Sequence, residues 1–378
     1  MTIPAPPLPS ITDLLHGLSA PPFTGWRLAG ARPGGVCHVY RAGRLALAAG
    51  IDAVRRARGA GTVTVLVPGY FCNEALEPLR RLRITLEFYP IRDDLSPDWE
   101  AISAASHSRG GPAALLLVHY FGIPGATAEA SVFCGRHGLT LVEDAAHVLA
   151  PMAGIGVGDL VIFSPRKLLA VPAGGVLVAS EKIGALLDPP VDGHAWRETA
   201  AWTTRRLAQR LLVGLHVPWH RLWPSTEAEP RRSDAGPLRM LGCSPFGLRL
   251  LTVTERAVEE VGARRRRNYA RLLVRVARLP GARPLFPSLP DGICPYAFPL
   301  LVDGSSASLV TRLRARGIPA SRWPDLPPEV FARPDSHRVA LRTRERLALL
   351  PVHQGLSTAQ LERVGDELSA ALTGEEAA

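Results

Sequence analysis

Residues 113–143 read AALLLVHYFGIPGATAEASVFCGRHGLTLVE. Two short apolar runs, at 113–118 and 139–143, enclose a segment at 127–137 whose pattern is typical of a helix. Uninterrupted apolar strands that alternate with helices predict a mostly parallel sheet that is covered on both faces. The expected fold class is therefore α/β, with ligands bound at the carboxyl ends of the strands.

The same alternation continues on both sides of this unit. Further strands and helices are predicted at residues 44–58, 63–67, 74–82, 84–89, 160–163 and 175–179. Beyond them lies a long amphipathic helical pattern at 254–279, followed by strand and helix patterns at 296–302, 307–316 and 358–372. We therefore expect a large α/β domain and a smaller one, joined by a long helix.

Composition divides the chain into five predicted parts. These are an N-terminal arm (1–35), a large domain (36–188), an insert rich in Trp and Arg (189–240), a connecting helix (241–280) and a small C-terminal domain (281–378). The insert holds four of the seven tryptophans. They predict a subunit interface or a core rather than a membrane anchor, because the apolar face of the insert is short and interrupted by prolines.

The composition also excludes several classes of protein. With 47% hydrophobic and 21% charged residues among 378, the chain can bury a sizeable core, so disorder is not expected as its main state. No apolar run approaches the ~18 residues that a spanning helix needs, and the first residues lack a signal-peptide pattern. The five cysteines form no CxxC pair, which argues against a disulfide scaffold or a structural zinc site and favours the cytoplasm.

Lysine is almost absent from this basic chain. The 44 basic residues exceed the 34 acidic ones and give a formal net charge of +10, yet only Lys167 and Lys182 are lysines. Arginine can replace lysine wherever a surface charge suffices, but it cannot form an imine or act as a base at neutral pH. A lysine in such a chain is a candidate for amine chemistry. Lys182 begins a polar helix pattern and is expected to be an exposed charge.

Lys167 lies in a setting that favours amine chemistry. A strand runs into Asp144, and Ser164 precedes Lys167 by three residues, ahead of the glycine pair 174–175. An imine-forming lysine, a carboxylate for a ring nitrogen and a hydroxyl for a phosphate are the groups that pyridoxal 5'-phosphate requires. The sequence therefore predicts a pyridoxal-phosphate site, without a metal.

The phosphate would also favour a helix N-terminus. Gly43 and Arg44 open the first helix of the large domain, where glycine allows close approach of the backbone and arginine adds a positive charge. An aromatic ring that stacks on the cofactor could come from Tyr70 or Phe71, just after the strand at 63–67.

Other motifs have plainer interpretations. Residues 154–158 mimic a dinucleotide-binding fingerprint but do not join a strand to a helix, which favours a simple turn. The arginines at 264–267 resemble a nucleic-acid patch, yet such a run is more typical of a solvated helix face. His119 and His353 are candidate ligands or bases, and packed, hydrogen-bonded histidines are an equal alternative.

Six motifs in one order resemble the DegT/DnrJ/StrS-type sugar aminotransferases, which have the aspartate aminotransferase fold. They are AGRLAL (42–47), VLVPGYF (65–71), VHYFGIP (118–124), VEDAAH (142–147), GDLVIFS with Lys167 and the glycine pair (158–175), and LLPVHQGLS (349–357). The resemblance covers most of the chain. It implies the pyridoxal-phosphate-dependent transferase fold type I, with a seven-stranded, mostly parallel mixed sheet, helices on both faces and a smaller C-terminal α/β domain.

The resemblance implies a role for particular residues. Lys167 would bind the cofactor covalently and shuttle a proton, Asp144 would bind the pyridine nitrogen, and His147 would lie near the ring hydroxyl. The remaining cofactor contacts would be Ser164, Gly43 and Arg44 at the phosphate and Tyr70 on the ring face.

The activity that the resemblance implies is transfer of an amino group, from glutamate, to a keto sugar, mostly one linked to a nucleotide. Such reactions serve polysaccharide or secondary-metabolite biosynthesis, and the enzymes are homodimers that bind no nucleic acid.

The sequence departs from the family between Ser164 and Lys167, where most relatives have two more residues, and near residues 242–244, where the usual Gly-x-Asn is replaced. A cofactor-binding relative without transaminase activity is one alternative, and a nucleotide-binding protein that uses residues 154–158 is another.

Overall fold

The computed structural model describes residues 3–23, 35–59, 61–105, 112–150, 152, 154–192, 196–215, 237–323 and 325–373. Its larger sheet has seven strands, in the order β1-β7-β6-β5-β4-β2-β3. They are β1 (Val36–Tyr40), β2 (Thr64–Pro68), β3 (Thr85–Tyr89), β4 (Ala114–Val118), β5 (Thr140–Ala145), β6 (Leu160–Phe163) and β7 (Gly175–Ala179). The sequence predicts six of these strands. It misses β1, whose residues VCHVY are only partly buried and include a polar histidine.

The direction of the strands confirms the mostly parallel sheet. The five strands β2 to β6 run parallel, whereas β7 is antiparallel to both β6 and β1. In the shared register, Val118 of β4 pairs with Asp144 of β5, which in turn pairs with Ile162 of β6. The carboxyl ends of these three strands therefore meet at one edge, where parallel sheets bind their ligands.

Helices cover both faces of this sheet. They are α2 (Gly43–Ala57), α3 (Asn73–Arg81), α4 (Trp99–Ala105), α5 (Thr127–His137) and α6 (Glu181–Gly184). The start of α2 lies unusually close to β7, since a Cβ on Gly175 would lie 2.3 Å from the carbonyl carbon of Ala42. Only glycine fits there, and this contact holds the N-terminus of α2 at the ligand-binding edge of the sheet.

A second, four-stranded sheet forms the core of the smaller domain, in the order β10-β11-β9-β8. Its strands are β8 (Ala282–Pro284), β9 (Phe298–Val302), β10 (Ser321–Arg322) and β11 (Leu347–Leu350). The helices numbered in chain order after the insert are α8 (Pro245–Glu255), α9 (Val258–Val276), α10 (Ser306–Ala315), α11 (Pro328–Phe331), α12 (Arg338–Arg346) and α13 (Thr358–Thr373). Leu300 and Leu350 of the sheet pack with Leu309 of α10 and Val364 of α13 in one buried cluster.

The N-terminal arm is more ordered than its composition predicts. It contains α1 (Ile11–Ser19), which begins with a capping box in which Ser10 accepts from the backbone N–H of Asp13 and the Asp13 side chain accepts from that of Ser10. Ile3 is buried in the core of the small domain, and the carbonyl of Pro4 is hydrogen-bonded to His353. These contacts hold the start of the N-terminal arm against the small domain, which lies far from it in the sequence.

The insert contains a further helix, α7 (Trp196–Gly214). Trp202 is half-buried and packs against the large-domain core, whereas Trp196 is 65% exposed. Trp219 and Trp223, the other two tryptophans of the insert, lie outside the described residues.

The connecting segment differs from the prediction in two ways. The connecting helix expected at 241–280 is two helices, because α8 ends at Glu255 and α9, the amphipathic helix predicted at 254–279, begins only at Val258. The prediction of a solvated face for the four arginines of α9 is wrong at Arg265, which is 1% exposed, although Arg264 and Arg267 are exposed. The amphipathic pattern places Arg265 on the buried side of α9, but its charge hides this in the sequence.

Arg265 joins the two domains. Its guanidinium donates to the carbonyls of Pro295 at 3.2 Å and Tyr296 at 3.0 Å, and to that of Leu168 at 3.0 Å, directly after Lys167. It also donates to the side chain of Gln354 at 2.8 Å. A buried charge that satisfies four acceptors fixes the small domain against the lysine-bearing turn.

Replacing Arg265 with leucine should destabilise the protein strongly. The change leaves buried acceptors without donors, and each such loss costs about 1–3 kcal/mol. We expect the free energy of unfolding, measured by chemical denaturation, to fall by about 3 kcal/mol. The matched control is Arg264→Leu on the same helix, which removes only an exposed pair with Glu260 and should cost less than about 1 kcal/mol. Equal effects of the two changes would contradict the role of Arg265.

Candidate active site

A cavity of about 260 Å³ opens at the carboxyl ends of β4, β5 and β6, between the N-terminus of α2 and the small domain. Six of the seven residues predicted for the site line it, and the seventh, Tyr70, does not. The six are Lys167, Asp144, His147, Ser164, Gly43 and Arg44.

Lys167 ends a short 3-10 turn, Pro165–Lys167, which follows β6 directly. The turn is closed by a hydrogen bond from the Lys167 N–H to the carbonyl of Ser164, at 2.9 Å. Its side chain is half-buried and its Nζ lies 3.1 Å from Nε2 of His147. Burial lowers the pKa of Lys167, and the negative charge of Asp144 opposes that shift. Lys182, by contrast, is exposed on α6.

Asp144 projects from the end of β5. One carboxylate oxygen, Oδ1, accepts from the backbone N–H of Ala146 at 2.8 Å, which fixes the orientation of the group. Burial raises the pKa of Asp144, while the positive charge of Lys167 lowers it. A partly desolvated carboxylate held in this way is suited to a cationic partner inside the cavity.

The N-terminus of α2 faces Ser164. Its N-cap residue, Ala42, has no side chain that caps the helix, and the first turn has no acidic residue. A Cβ on Gly43 would lie 3.7 Å from Oγ of Ser164, so the hydroxyl and the first amides of α2 are neighbours. Amides at a helix start and a nearby hydroxyl form an anion-binding set. Arg44 lies beside them and its guanidinium pairs with the carboxylate of Glu74.

Tyr70 is turned away from the cavity. It is fully buried, its ring stacks on Trp323 with centroids 4.7 Å apart, and its hydroxyl has no partner among the described residues. Its neighbour Phe71 lines the cavity instead, as does Cys72. Of the two aromatic residues considered from the sequence, Phe71 is therefore the one placed to contact a ligand.

The glycine-rich turn at 154–158 is held by a buried carboxylate. Glu143 accepts from the N–H of Gly156 at 2.7 Å and from that of Gly158, and it pairs with Nε2 of His119 at 2.8 Å. Nδ1 of His119 accepts from Gly125 at 2.9 Å, so both ring nitrogens have partners. His119 borders the cavity but serves to pack these loops, and the turn has the simple role that the sequence favoured.

The small domain supplies one wall of the cavity, which sequence reasoning did not identify. Tyr296 precedes β9, and Ser321, Arg322 and Trp323 come from β10 and the residue that follows it. Arg322 is oriented by hydrogen bonds from Nε to Ser306 and from Nη2 to the carbonyl of Arg344. No spacing signal links these residues to Lys167, because more than 120 residues of chain separate them.

These residues fit pyridoxal 5'-phosphate. The anion-binding set, the oriented carboxylate of Asp144 and the amine of Lys167 all line the same cavity. Such a cofactor needs an amine, an anion site and a carboxylate in one pocket, and the donor set here provides all three. No cluster of three or more potential metal-ligating side chains occurs within the described ranges. None of the helices in those ranges combines the length and the hydropathy needed to cross a bilayer.

Comparison with known proteins agrees with this interpretation. Residues 49–185 match the DegT/DnrJ/EryC1/StrS aminotransferase family. A dTDP-4-dehydro-2,3,6-trideoxy-D-glucose 4-aminotransferase of Saccharopolyspora spinosa is 29% identical over 273 residues. That alignment covers 68% of this chain and spans 65% of the length of the relative.

Solved structures share the fold over more of the chain. The aminotransferase TlmJ from Streptoalloteichus hindustanus superposes with a TM-score of 0.70 at 18% identity, covering 99% of each chain. DesV of S. venezuelae, solved in complex with a ketimine intermediate, has a TM-score of 0.64 at 22% identity, covering 90% of this chain and 85% of its own. The α/β fold predicted from the sequence is thereby confirmed.

Proposed function

We propose that this chain, which belongs to the DegT/DnrJ/EryC1/StrS aminotransferase family, is a pyridoxal-phosphate-dependent aminotransferase that acts on a nucleotide-linked keto sugar. One observation carries the proposal most directly. In a chain with two lysines, Lys167 is the one that lies in the cavity, together with Asp144 and the open N-terminus of α2. The cavity thus holds the amine, the carboxylate and the anion site that the cofactor needs.

Each group has a place in this proposal. The amides of Gly43 and Arg44 and the hydroxyl of Ser164 would hold the phosphate, and Phe71, which lines the cavity as Tyr70 does not, would contact the ring. Asp144 would hold a proton on the pyridine nitrogen. When bound, the cofactor supplies an electron sink for the carbon that loses or gains a proton.

Lys167 would act twice in this reaction. Its Nζ would attach the cofactor, and when not bound to it the same atom would accept and return a proton. The half-buried position and lowered pKa of Lys167 support both roles, because a neutral amine is required for each. In the complete reaction an amino acid exchanges its amino group and a hydrogen for an oxygen from water and becomes a 2-oxo acid. The carbonyl carbon of the sugar gains the amino group and a hydrogen, and its oxygen leaves as water.

The substrate class rests on the relatives and on charge. The relative from S. spinosa is named for a dTDP-linked 4-keto sugar, which carries a diphosphate. Exposed Arg166 and oriented Arg322 border the cavity, and a formal net charge of +10 favours approach of such an anion. Glutamate as the amino donor, a role in polysaccharide or secondary-metabolite synthesis and a cytoplasmic location belong to the same proposal.

Incubation of the protein with pyridoxal phosphate, glutamate and a dTDP-4-keto-6-deoxy sugar tests this function. The proposal predicts an amino sugar nucleotide, detected by mass spectrometry, and 2-oxoglutarate in equal amount. If the protein binds the cofactor but yields neither product with a panel of keto-sugar nucleotides and amino donors, the alternative applies. The chain is then a cofactor-binding relative without transaminase activity.

We also infer that the protein is a homodimer with its active sites near the subunit boundary. Two described helices support this arrangement. α7 exposes Leu207 and Leu211, with Leu215 directly after its end, and α1 exposes Ile11 and Leu15, each set with helical spacing. Contiguous exposed apolar side chains of this kind typically mark an interaction site. A twofold contact between identical chains is the commonest solution.

Changing Leu207 and Leu211 together to aspartate should therefore weaken dimerisation. Each change places a charge where an apolar side chain would be buried, so the dissociation constant should rise by at least about tenfold, or 1.4 kcal/mol. Light scattering over a concentration series measures this. The control pair is Val132→Asp and Val274→Asp, exposed apolar residues on α5 and α9. A wild-type monomer at micromolar concentration with full activity would contradict the dimer, as would equal effects of both pairs.

A further inference from the structure

We propose that His147 holds Lys167 as a neutral amine, by donating a hydrogen bond from its Nε2–H to the lone pair of the Lys167 Nζ. The inference rests on the proposed function, because it assigns a protonation state to the amine that this function requires. It goes beyond the expectation from the sequence, which placed His147 near a ring hydroxyl of the cofactor only.

The imidazole of His147 is held rigidly. Its ring lies parallel to that of Tyr296, with centroids 4.1 Å apart and an interplanar angle of 1°. The ring of Phe121 also stacks on the imidazole, with centroids 5.8 Å apart and an interplanar angle of 17°. The ring of Trp323 meets the imidazole edge-on, with centroids 5.7 Å apart. His147 is 7% exposed. The orientation of its two nitrogens is therefore set by packing rather than by solvent.

A backbone N–H decides which nitrogen carries the proton. The N–H of Phe121 points at Nδ1 of His147, at an N···N distance of 3.3 Å. That residue has φ +58°, unusual for a bulky side chain, and the next residue is Gly122. A Cβ on Gly122 would lie 2.5 Å from the carbonyl of Cys294, so only glycine fits at this position of the turn. Nδ1 must therefore be an acceptor.

The contact between Nε2 of His147 and Nζ of Lys167 then allows only one placement of the proton. Burial, the main cause, lowers the pKa of His147 well below its ordinary value, so the ring is neutral and has one proton. With Nδ1 as the acceptor, that proton is on Nε2, which lies 3.1 Å from Nζ of Lys167. An ammonium group on Lys167 would place two donors face to face. A neutral amine accepts the hydrogen bond.

The other charged and titratable groups near Lys167 shift its pKa in both directions. Burial and the positive charge of Arg166 lower its pKa, while Asp144, Cys72 and Glu74 raise it. Asp144 on its own would favour the ammonium form, which cannot attach a cofactor or accept a proton. The N–H of His147 offsets this effect at the amine without removing the carboxylate that the pyridine nitrogen needs. His147 is thus a positioning residue for the protonation state of Lys167.

The presence of only two lysines makes the test direct. Full-length protein labelled with ¹³C/¹⁵N-lysine and freed of cofactor gives two side-chain signals, which Lys182→Arg assigns. We expect Lys167 in the wild type to titrate below the ordinary range of a lysine. His147→Phe keeps a ring in the stack but removes the donor, and should raise the pKa of Lys167 by about one unit, or 1.4 kcal/mol. Tyr296→Phe keeps the stack and the donor, and should leave the titration unchanged.

A second measurement needs no variant that could fail to fold. The ¹⁵N shifts of the His147 ring in the wild type should show an unprotonated Nδ1 and a protonated Nε2 across neutral pH. A protonated Nδ1 would overturn the proposal, and so would an unchanged titration of Lys167 in folded His147→Phe. Because both readouts are taken without cofactor or substrate, a failed amination assay leaves them intact and counts against the proposed function alone.

Discussion

Replacing Lys167 with alanine should abolish turnover and covalent attachment of the cofactor. We expect the rate of amination to fall at least about a thousandfold, because one amine both attaches the cofactor and carries the proton. The absorbance band of the bound cofactor should shift to that of the free aldehyde or disappear. Among the residues that the structure describes, His147 is the one hydrogen-bond partner of the Lys167 side chain, so the fold should be retained.

The chain offers its own control for this experiment. Lys182→Arg changes the only other lysine, which is exposed on α6, and should leave both the band and the rate at wild-type values. Lys167→Arg keeps the charge but cannot form an imine, and should be as inactive as the alanine variant. An active Lys167→Arg enzyme would show that only the charge at this position matters.

Replacing Asp144 with asparagine should lower the amination rate by several orders of magnitude while the protein stays folded. The carboxylate keeps a proton on the pyridine nitrogen, and without it the ring is a poor electron sink. Stability should not fall, because an amide avoids the cost of burying the carboxylate and can still accept from the N–H of Ala146. Steady-state kinetics and thermal unfolding together measure the two effects.

The matched control is Asp366→Asn on α13, which alters only an exposed pair with Arg275. It should leave the rate unchanged. Activity of Asp144→Asn within about tenfold of wild type, or 1.4 kcal/mol, would show that Asp144 has a different role.

Much of the fold could be predicted because buried parallel strands have a continuous apolar pattern. β4, β6 and β7 of the large sheet are buried at every residue, and their predicted bounds differ from the structure by one residue at most. β1 is partly exposed at four of its five residues and therefore lacks this pattern. α1 was missed because the prolines around it dominate the composition of the arm.

The site could be predicted where it lies close to strand ends in the sequence. Asp144 lies at the end of β5 and Lys167 follows the adjacent strand β6, so the topology brings them together. Tyr296 and Trp323 could not be found this way, since only the docking of the small domain places them beside His147. The rotation of Tyr70 away from the cavity has a similar cause, because its ring stacks on Trp323 from the small domain.

The charge pattern of the sequence predicts the burial of individual side chains poorly. A run of four arginines on α9 has the composition of a solvated face, yet Arg265 is enclosed by backbone carbonyls from both domains. Only tertiary structure supplies such acceptors, so no local sequence pattern predicts them. The same holds for His147, whose protonation depends on an N–H that precedes it by 26 residues.

The most direct test of the central claim is to trap the cofactor on the protein. The purified enzyme with pyridoxal phosphate is reduced with borohydride, digested and mapped by mass spectrometry. We expect one modified residue, Lys167, in stoichiometric yield. Modification at Lys182, or no adduct on either lysine despite bound cofactor, would contradict it.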